Sequence, residues 1–405
     1  MTSPYRTLLA VPGARAFVTA GFVGRMSMSM VGIGIVLLVS AVTGSYGIAG
    51  TVSATMSVAY ALGAPLSARF ADRYGQRRVL VPLVSANAVA FTFLISSAVF
   101  DAPLWTLYPA GALAGLTQVS MGAWVRSRWS HVLTGTAIPM GAAYSFEAVM
   151  DELIFVAGPM LVTSLATGVH PAAGLAVAAS CTLVGGLAFA RLRETEPPPR
   201  PREPGTAARG GVFANPAIWI MTPIFLLTGL VFGAIDVSGV AFAEAQGHKP
   251  LAGVLLGCYA AGSATAAFWY GARNWRASLD RRFLTGSVLL AVLLVPPLLV
   301  RDFWAMLPVV FVAGLAISPT IIPGYGLVER LVPAGQLTEG LALVSTTVSI
   351  GAAAGASLAG RVVDAYGAKA SFGVPLAAAV LAALVTVAGI RSVSKRELSS
   401  QTIAE

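Results

Sequence analysis

The sequence predicts an all-α integral membrane protein whose twelve transmembrane helices fall into two sets of six. Three observations carry this. Hydrophobic residues make up 56% of the chain and charged residues 11%, against about 25% charged in ordinary soluble domains; the mean hydropathy is +0.79. A soluble globule of 405 residues could not be coated with so little polar material, so lipid must cover much of the surface. Apolar runs of about 20 residues, the length that crosses a bilayer at 1.5 Å per residue, recur along the chain. A single long polar stretch divides those runs into equal groups.

Residues 1–15 carry Arg6 and Arg15 ahead of the first apolar run, and no small-residue cleavage site follows that run convincingly, so it reads as a retained first helix. The spans fall at 16–41, 46–68, 79–100, 104–125, 140–166 and 171–190, then at 216–242, 250–272, 283–300, 303–327, 338–360 and 370–390. Between them lies Arg191 to Gly211, with Pro197-Pro198-Pro199-Arg200-Pro201-Arg202 at its centre. Proline-rich charged sequence buries little apolar area and behaves as an extended linker. The expected organisation is an N-terminal half over 1–190, a linker over 191–213 and a C-terminal half over 214–405.

Short cytoplasmic loops collect Lys and Arg. Placing both termini in the cytoplasm puts 21 of the 26 basic residues there. Outside fall Lys249, Arg301, Arg361 and Lys369, while Arg25 stays within span 1. This asymmetry fixes a multi-pass topology in the cell inner (plasma) membrane and supports an even number of spans. The basic residues form no face interleaved with aromatics, so orientation explains them and nucleic acid is excluded as a partner. Cys181 and Cys258 sit in apolar runs without ligand-spaced partners, so neither a disulfide nor a metal site is expected.

The densest charge lies in Ala68-Arg69-Phe70-Ala71-Asp72-Arg73-Tyr74-Gly75-Gln76-Arg77-Arg78-Val79-Leu80. Its pattern, A/G-x-x-x-D-R-x-G-x-R-R, closely resembles the loop between helices 2 and 3 of the major facilitator superfamily. That resemblance implies two pseudo-symmetric six-helix bundles, each made of two inverted three-helix repeats, and a secondary transporter. It also implies a gate role for Asp72, Arg73, Gly75, Arg77 and Arg78. Gly75 permits the tight turn. Asp72 could accept hydrogen bonds from arginines or from a helix N-terminus in the opposite half when the cytoplasmic ends meet. The arginines equally serve as positive-inside anchors, whereas an acid in a positive loop gains nothing for topology. The repeat leaves a trace: Arg69-x-x-Asp72-x-Tyr74-Gly75 returns as Arg361-x-x-Asp364-x-Tyr366-Gly367.

Ionisable residues inside spans cost about 2.5 to 3.5 kcal/mol on insertion scales, which makes each a functional candidate. Those in this chain are Arg25 in span 1, Glu147, Asp151 and Glu152 in span 5, and Asp236 in span 7. Glu147 and Asp151 share a helical face, while Glu152 points about 100° away from Asp151. Span 1 enters at the same surface, so Arg25 is expected to meet the acidic pair and form either a proton-coupling site or a static bridge. Span 4 as drawn, Gly111 to Gly122, lacks the arginine that proton-coupled members of the superfamily commonly carry, and Arg25 is the candidate replacement.

Gly158-Pro159 resembles the antiporter-type motif of exporting facilitators, although Val162-Thr163 stands where a glycine pair would follow. It implies export and a softened helix 5, and a purely structural kink is the alternative. Substrate-facing candidates near mid-span are Met28, Met30, Gln118, Phe232, Asp236, Tyr259, Tyr325 and Ser345, with packing the alternative for most. Span 10 is expected to break over Ser318 to Tyr325, where Pro319 and Pro323 free backbone carbonyls. Glu339, near the start of span 11, suits the helix dipole and reads as structural.

No G-x-x-x-x-G-K-[ST] loop is present, so ion gradients are the expected energy source. His131, His170 and His248 are widely separated, and no cofactor is expected. The resulting expectation is a monomeric exporter of a drug or metabolite, with protons as the coupling ion and the lipid bilayer as its other partner. A solute importer of the same fold is one alternative. A membrane-embedded enzyme or a non-transporting receptor is another.

Overall fold

The computed structural model describes residues 4–44, 46–199, 212, 215–248, 251–273 and 275–402. Most of the linker expected at 191–213 lies outside them. The described chain is helical and contains no strand. It divides into two compact units, Met1–Ala143 with Met150–Ala207 and Ala334–Thr346, and Tyr144–Val149 with Ala208–Pro333 and Thr347–Glu405.

The helices of the first unit are α1 (Pro4–Leu8), α2 (Ala14–Arg25), α3 (Ser27–Thr43), α4 (Tyr46–Tyr74), α5 (Gln76–Val99), α6 (Leu107–Thr117), α7 (Met121–Val132), most of α8 (Met140–Gly168) and α9 (Ala173–Arg191). Its apolar core gathers Ile35 and Leu38 of α3, Phe91 and Leu94 of α5, and Leu175 of α9. The second unit contains α10 (Pro216–Ala245), α11 (Ala252–Ala272), α12 (Leu279–Leu293), α13 (Phe303–Gly314), α14 (Ile317–Leu331), most of α15 (Leu337–Tyr366), α16 (Ala368–Ser371) and α17 (Gly373–Thr402). Its core joins Val231, Leu255, Phe303, Met306 and Phe372.

Among the described residues, ten helical segments are long and apolar enough to cross a membrane. The other two of the twelve spans are α4, diluted by Ser, Gly and its charged end, and span 4, which is not continuous. It breaks between α6 and α7, where Gln118 is extended at φ −66°, ψ 132°. Asn87 of α5 accounts for the break, since its Nδ2 donates to the Ala114 carbonyl at 3.0 Å and lies 3.3 Å from Gln118 Oε1.

Span 10 also departs from expectation. Its discontinuity falls between Gly314 and Ile317, and Ser318 to Tyr325 is helical. Pro319 occupies the first turn of α14, where a backbone N–H has no partner to lose.

Two glycine pairs that the hydropathy pattern conceals bring α10 and α15 together. Gly229 and Gly233 face the Val348 and Ala352 carbonyls, and Gly351 and Gly355 face those of Leu226 and Leu230, at approaches that leave no room for a Cβ. Small residues four apart on both helices permit such backbone contact within lipid.

Candidate functional site

The charge cluster lies in the first unit. Arg25 closes α2, and its Nη1 donates to Oδ1 of Asp151 at 2.9 Å. Arg126 of α7 donates through Nη2 to Oδ2 of the same carboxylate at 2.6 Å. One acid thus ties three helices together with two charge-assisted bonds, the stronger kind of hydrogen bond. Arg25 is 1% exposed and Arg126 3%, whereas the Asp151 side chain keeps 23% of its surface accessible. Gly122, one turn before Arg126, makes the room: a Cβ there would stand 2.8 Å from Arg126 Nη1. Glu147, a turn before Asp151 in α8, is fully buried, and Glu152 is half-buried.

Arg126 and Arg128 correct the expectation that both stand in the loop after span 4. They belong to α7 and are buried. Arg126 lies four residues beyond the arginine-free stretch Gly111 to Gly122, and it joins Arg25 on Asp151. Arg128 donates from Nε to Gln76 Oε1 at 2.9 Å and from Nη1 to the Leu192 carbonyl and to Thr195 Oγ1, each at 2.9 Å. Its guanidinium lies 3.7 Å from the centre of the Phe189 ring. The available sequence signal was a pair of arginines framed by Trp124 and Trp129, both buried.

A polar belt adjoins the cluster. Gln118 Nε2 donates to Ser27 Oγ at 3.0 Å, and Ser29 Oγ donates to the Ile154 carbonyl at 2.8 Å. Gln118, a substrate-cavity candidate, is therefore held by Ser27 and Asn87. Gly158 packs directly against Ser29 with no space for a side chain, and α8 continues through Pro159.

The motif loop lies at the end of α4, beyond its apolar length. Asp72 Oδ2 accepts the Glu339 backbone N–H at 3.1 Å. The Thr338 hydroxyl bonds both the Asp72 carboxylate and Ser127 Oγ, the latter at 2.9 Å. Burial outweighs these bonds and pushes the Asp72 pKa up to about 7. Gly75 adopts φ 94°, open to glycine, and the Glu196 carboxylate accepts the Arg77 backbone N–H at 2.8 Å. The side chains of Arg77 and Arg78 are exposed, and Arg73 lies 5.1 Å from the Tyr74 ring centre. The repeated motif has the same backbone turn, with Gly367 at φ 85°, but Asp364 is exposed.

The remaining cavity candidates are dispersed. Met30 is core and Met28 is exposed. Phe232 in the second unit and Ser345 in the first are half-buried. Tyr259 is buried. Tyr325 packs against Phe225 and Tyr144, ring centres 5.3 and 6.2 Å away, and Tyr144 donates to Glu329 Oε2 at 3.0 Å. Asp236, expected among the buried charges, is accessible on α10. Among the described residues no group of three His, Cys, Asp or Glu side chains is placed to hold a metal ion.

The fold has close counterparts. A bacterial homologue of the iron transporter ferroportin, in an outward-facing state, superposes with a TM-score of 0.73 at 16% identity, covering 93% of this chain and 99% of its own. The human organic anion transporter MFSD10 (TETRAN) superposes with a TM-score of 0.69 at 16% identity, covering 92% and 99%. No curated protein matches the sequence. The Major Facilitator Superfamily profile matches residues 17–273 and 237–404, essentially the whole sequence. The chain is a multi-pass membrane transporter, not an enzyme, and belongs to the Major Facilitator Superfamily.

Proposed function

We propose that this transporter exports a small organic solute, a drug or metabolite, in exchange for protons by alternating access. It works as a monomer in the inner membrane with both termini in the cytoplasm and six helices in each half. The Arg25–Asp151–Arg126 cluster carries the reading. Asp151 joins α8 to both α2 and α7 through two guanidiniums and keeps part of its surface accessible, so the coupling ion is taken to act here, by weakening the contacts that both arginines make. Releasing α8 from α2 and α7 then links proton occupancy to helix movement. Gly158-Pro159 in the same helix supports export through its likeness to the antiporter motif, and the Asp72 contact with Thr338 and Glu339 supplies a latch that must open in each cycle.

Purified protein in liposomes, tested with a panel of organic solutes with and without an imposed pH gradient, checks the proposal. The expected result is uphill movement of at least one solute that collapses when the gradient is dissipated. Solute movement indifferent to the gradient would retain the transporter and remove the proton.

A further inference from the structure

The loop joining α11 to α12 carries a charge pattern outside the site described above. Arg273 and Arg282 both lie against the indole of Trp275, at 5.3 and 5.7 Å from the ring centre. Trp275 in turn packs on Tyr270 and Trp269, with ring centres 4.7 and 5.4 Å away. Its indole N–H is committed to the Tyr270 carbonyl at 2.9 Å, which fixes the ring as a platform. Arg276 and Arg281 follow within the same short segment, and both are exposed.

Four arginines here stand against one acid, Asp280, and that carboxylate is taken by Arg330 at 2.8 Å. None of the four meets a carboxylate among the described residues. Two guanidiniums gathered on one indole concentrate positive charge, which an anion would offset. Arg282 donates from Nη1 to the Tyr270 hydroxyl at 2.9 Å, yet its buried Nε has no acceptor among the described residues. Buried donors of this kind call for a partner.

The location selects that partner. The candidate membrane span ends at Ala272, and half-exposed Trp269 lies one turn inside it, at the depth where indoles meet headgroups. We propose that this loop binds the phosphate headgroup of an anionic phospholipid: the guanidiniums take the phosphate oxygens, and Trp269 and Trp275 border the acyl–headgroup boundary.

The test uses the full-length protein in nanodiscs of phosphatidylcholine and phosphatidylglycerol, with native mass spectrometry counting retained lipids. Wild type should retain phosphatidylglycerol in preference. Arg273→Gln and Arg282→Gln should each lower that preference about fivefold, and Arg6→Gln should leave it unchanged. Arg282 holds Tyr270, so if its variant unfolds, Arg273→Gln carries the test alone through its exposed side chain. Equal retention of the two lipids by wild type, or undiminished preference in Arg273→Gln, overturns the proposal. Displacement of phosphatidylglycerol by millimolar inorganic phosphate overturns it in favour of a free-anion site.

Discussion

Arg126 and Asp151 lie 2.6 Å apart across α7 and α8, with Arg25 on the other carboxylate oxygen. A carboxylate shared in this way is either a switch or a rivet, and one substitution separates them.

Asp151→Asn removes the carboxylate charge while the shape is kept. The coupling proposal expects solute exchange between two pools to continue and uphill transport to vanish, because exchange needs cycling with cargo bound whereas accumulation needs the proton. A static clamp expects two stranded guanidiniums, a loss of about 3 to 5 kcal/mol and failure of exchange as well. Exchange, uphill flux and thermal unfolding measured on one preparation decide. Unchanged pH-driven uphill flux in a stable variant would exclude Asp151 from both roles.

At the latch, Asp72 has a pKa raised from 3.8 to about 7, chiefly by burial. The docked arrangement therefore favours the neutral carboxyl. Its contribution to stability is fully present below about pH 4, falls as pH rises to about 7 and is flat above. Asp72→Asn mimics the neutral form, so thermal midpoints should lose this pH dependence and exceed wild type at pH 8. Transport should drop severalfold with membrane insertion intact, since the latch no longer releases. Wild-type flux at normal expression would reduce the loop to an anchor.

A methyl group in Gly158→Ala has nowhere to go but into Ser29 Oγ, displacing the hydroxyl from the Ile154 carbonyl. Overpacking of this kind costs about 1 to 3 kcal/mol. A lower thermal midpoint, with partial recovery in Gly158→Ala/Ser29→Ala, is expected; the double variant behaving no better than the single would locate the strain elsewhere.

Topology is tested by single cysteines. Those at Asp101 and Arg301 should react with an impermeant thiol reagent added outside sealed cells, and one at Gly205 should not. Labelling at Gly205 would invert the arrangement.

Much of this was readable from the sequence, for identifiable reasons. Lipid imposes length and hydropathy on a span, so the helices announce themselves, and an acid in a basic loop singles out Asp72. The burial of Arg126 and Arg128 was not readable, because the positive-inside rule weighs charge by neighbours in sequence and a guanidinium's burial depends on partners contributed by other helices. The breaks at Gln118 and before Ile317 were missed for a similar reason. The first is held by Asn87, some thirty residues away, and the second depends on which turn of the helix a proline enters. The accessibility of Asp236 likewise depends on neighbours that its own span does not name.

The glycine contact between α10 and α15 has a thermal consequence. Lipid tails are as apolar as the side chains they would replace, so this pairing draws on close packing and carbonyl contact, not on release of water. Water release weakens on cooling, and this contact has none to lose. Between Gly229, Gly233, Gly351 and Gly355 the two helices should therefore stay seated in the cold, when elements held by hydration entropy begin to loosen.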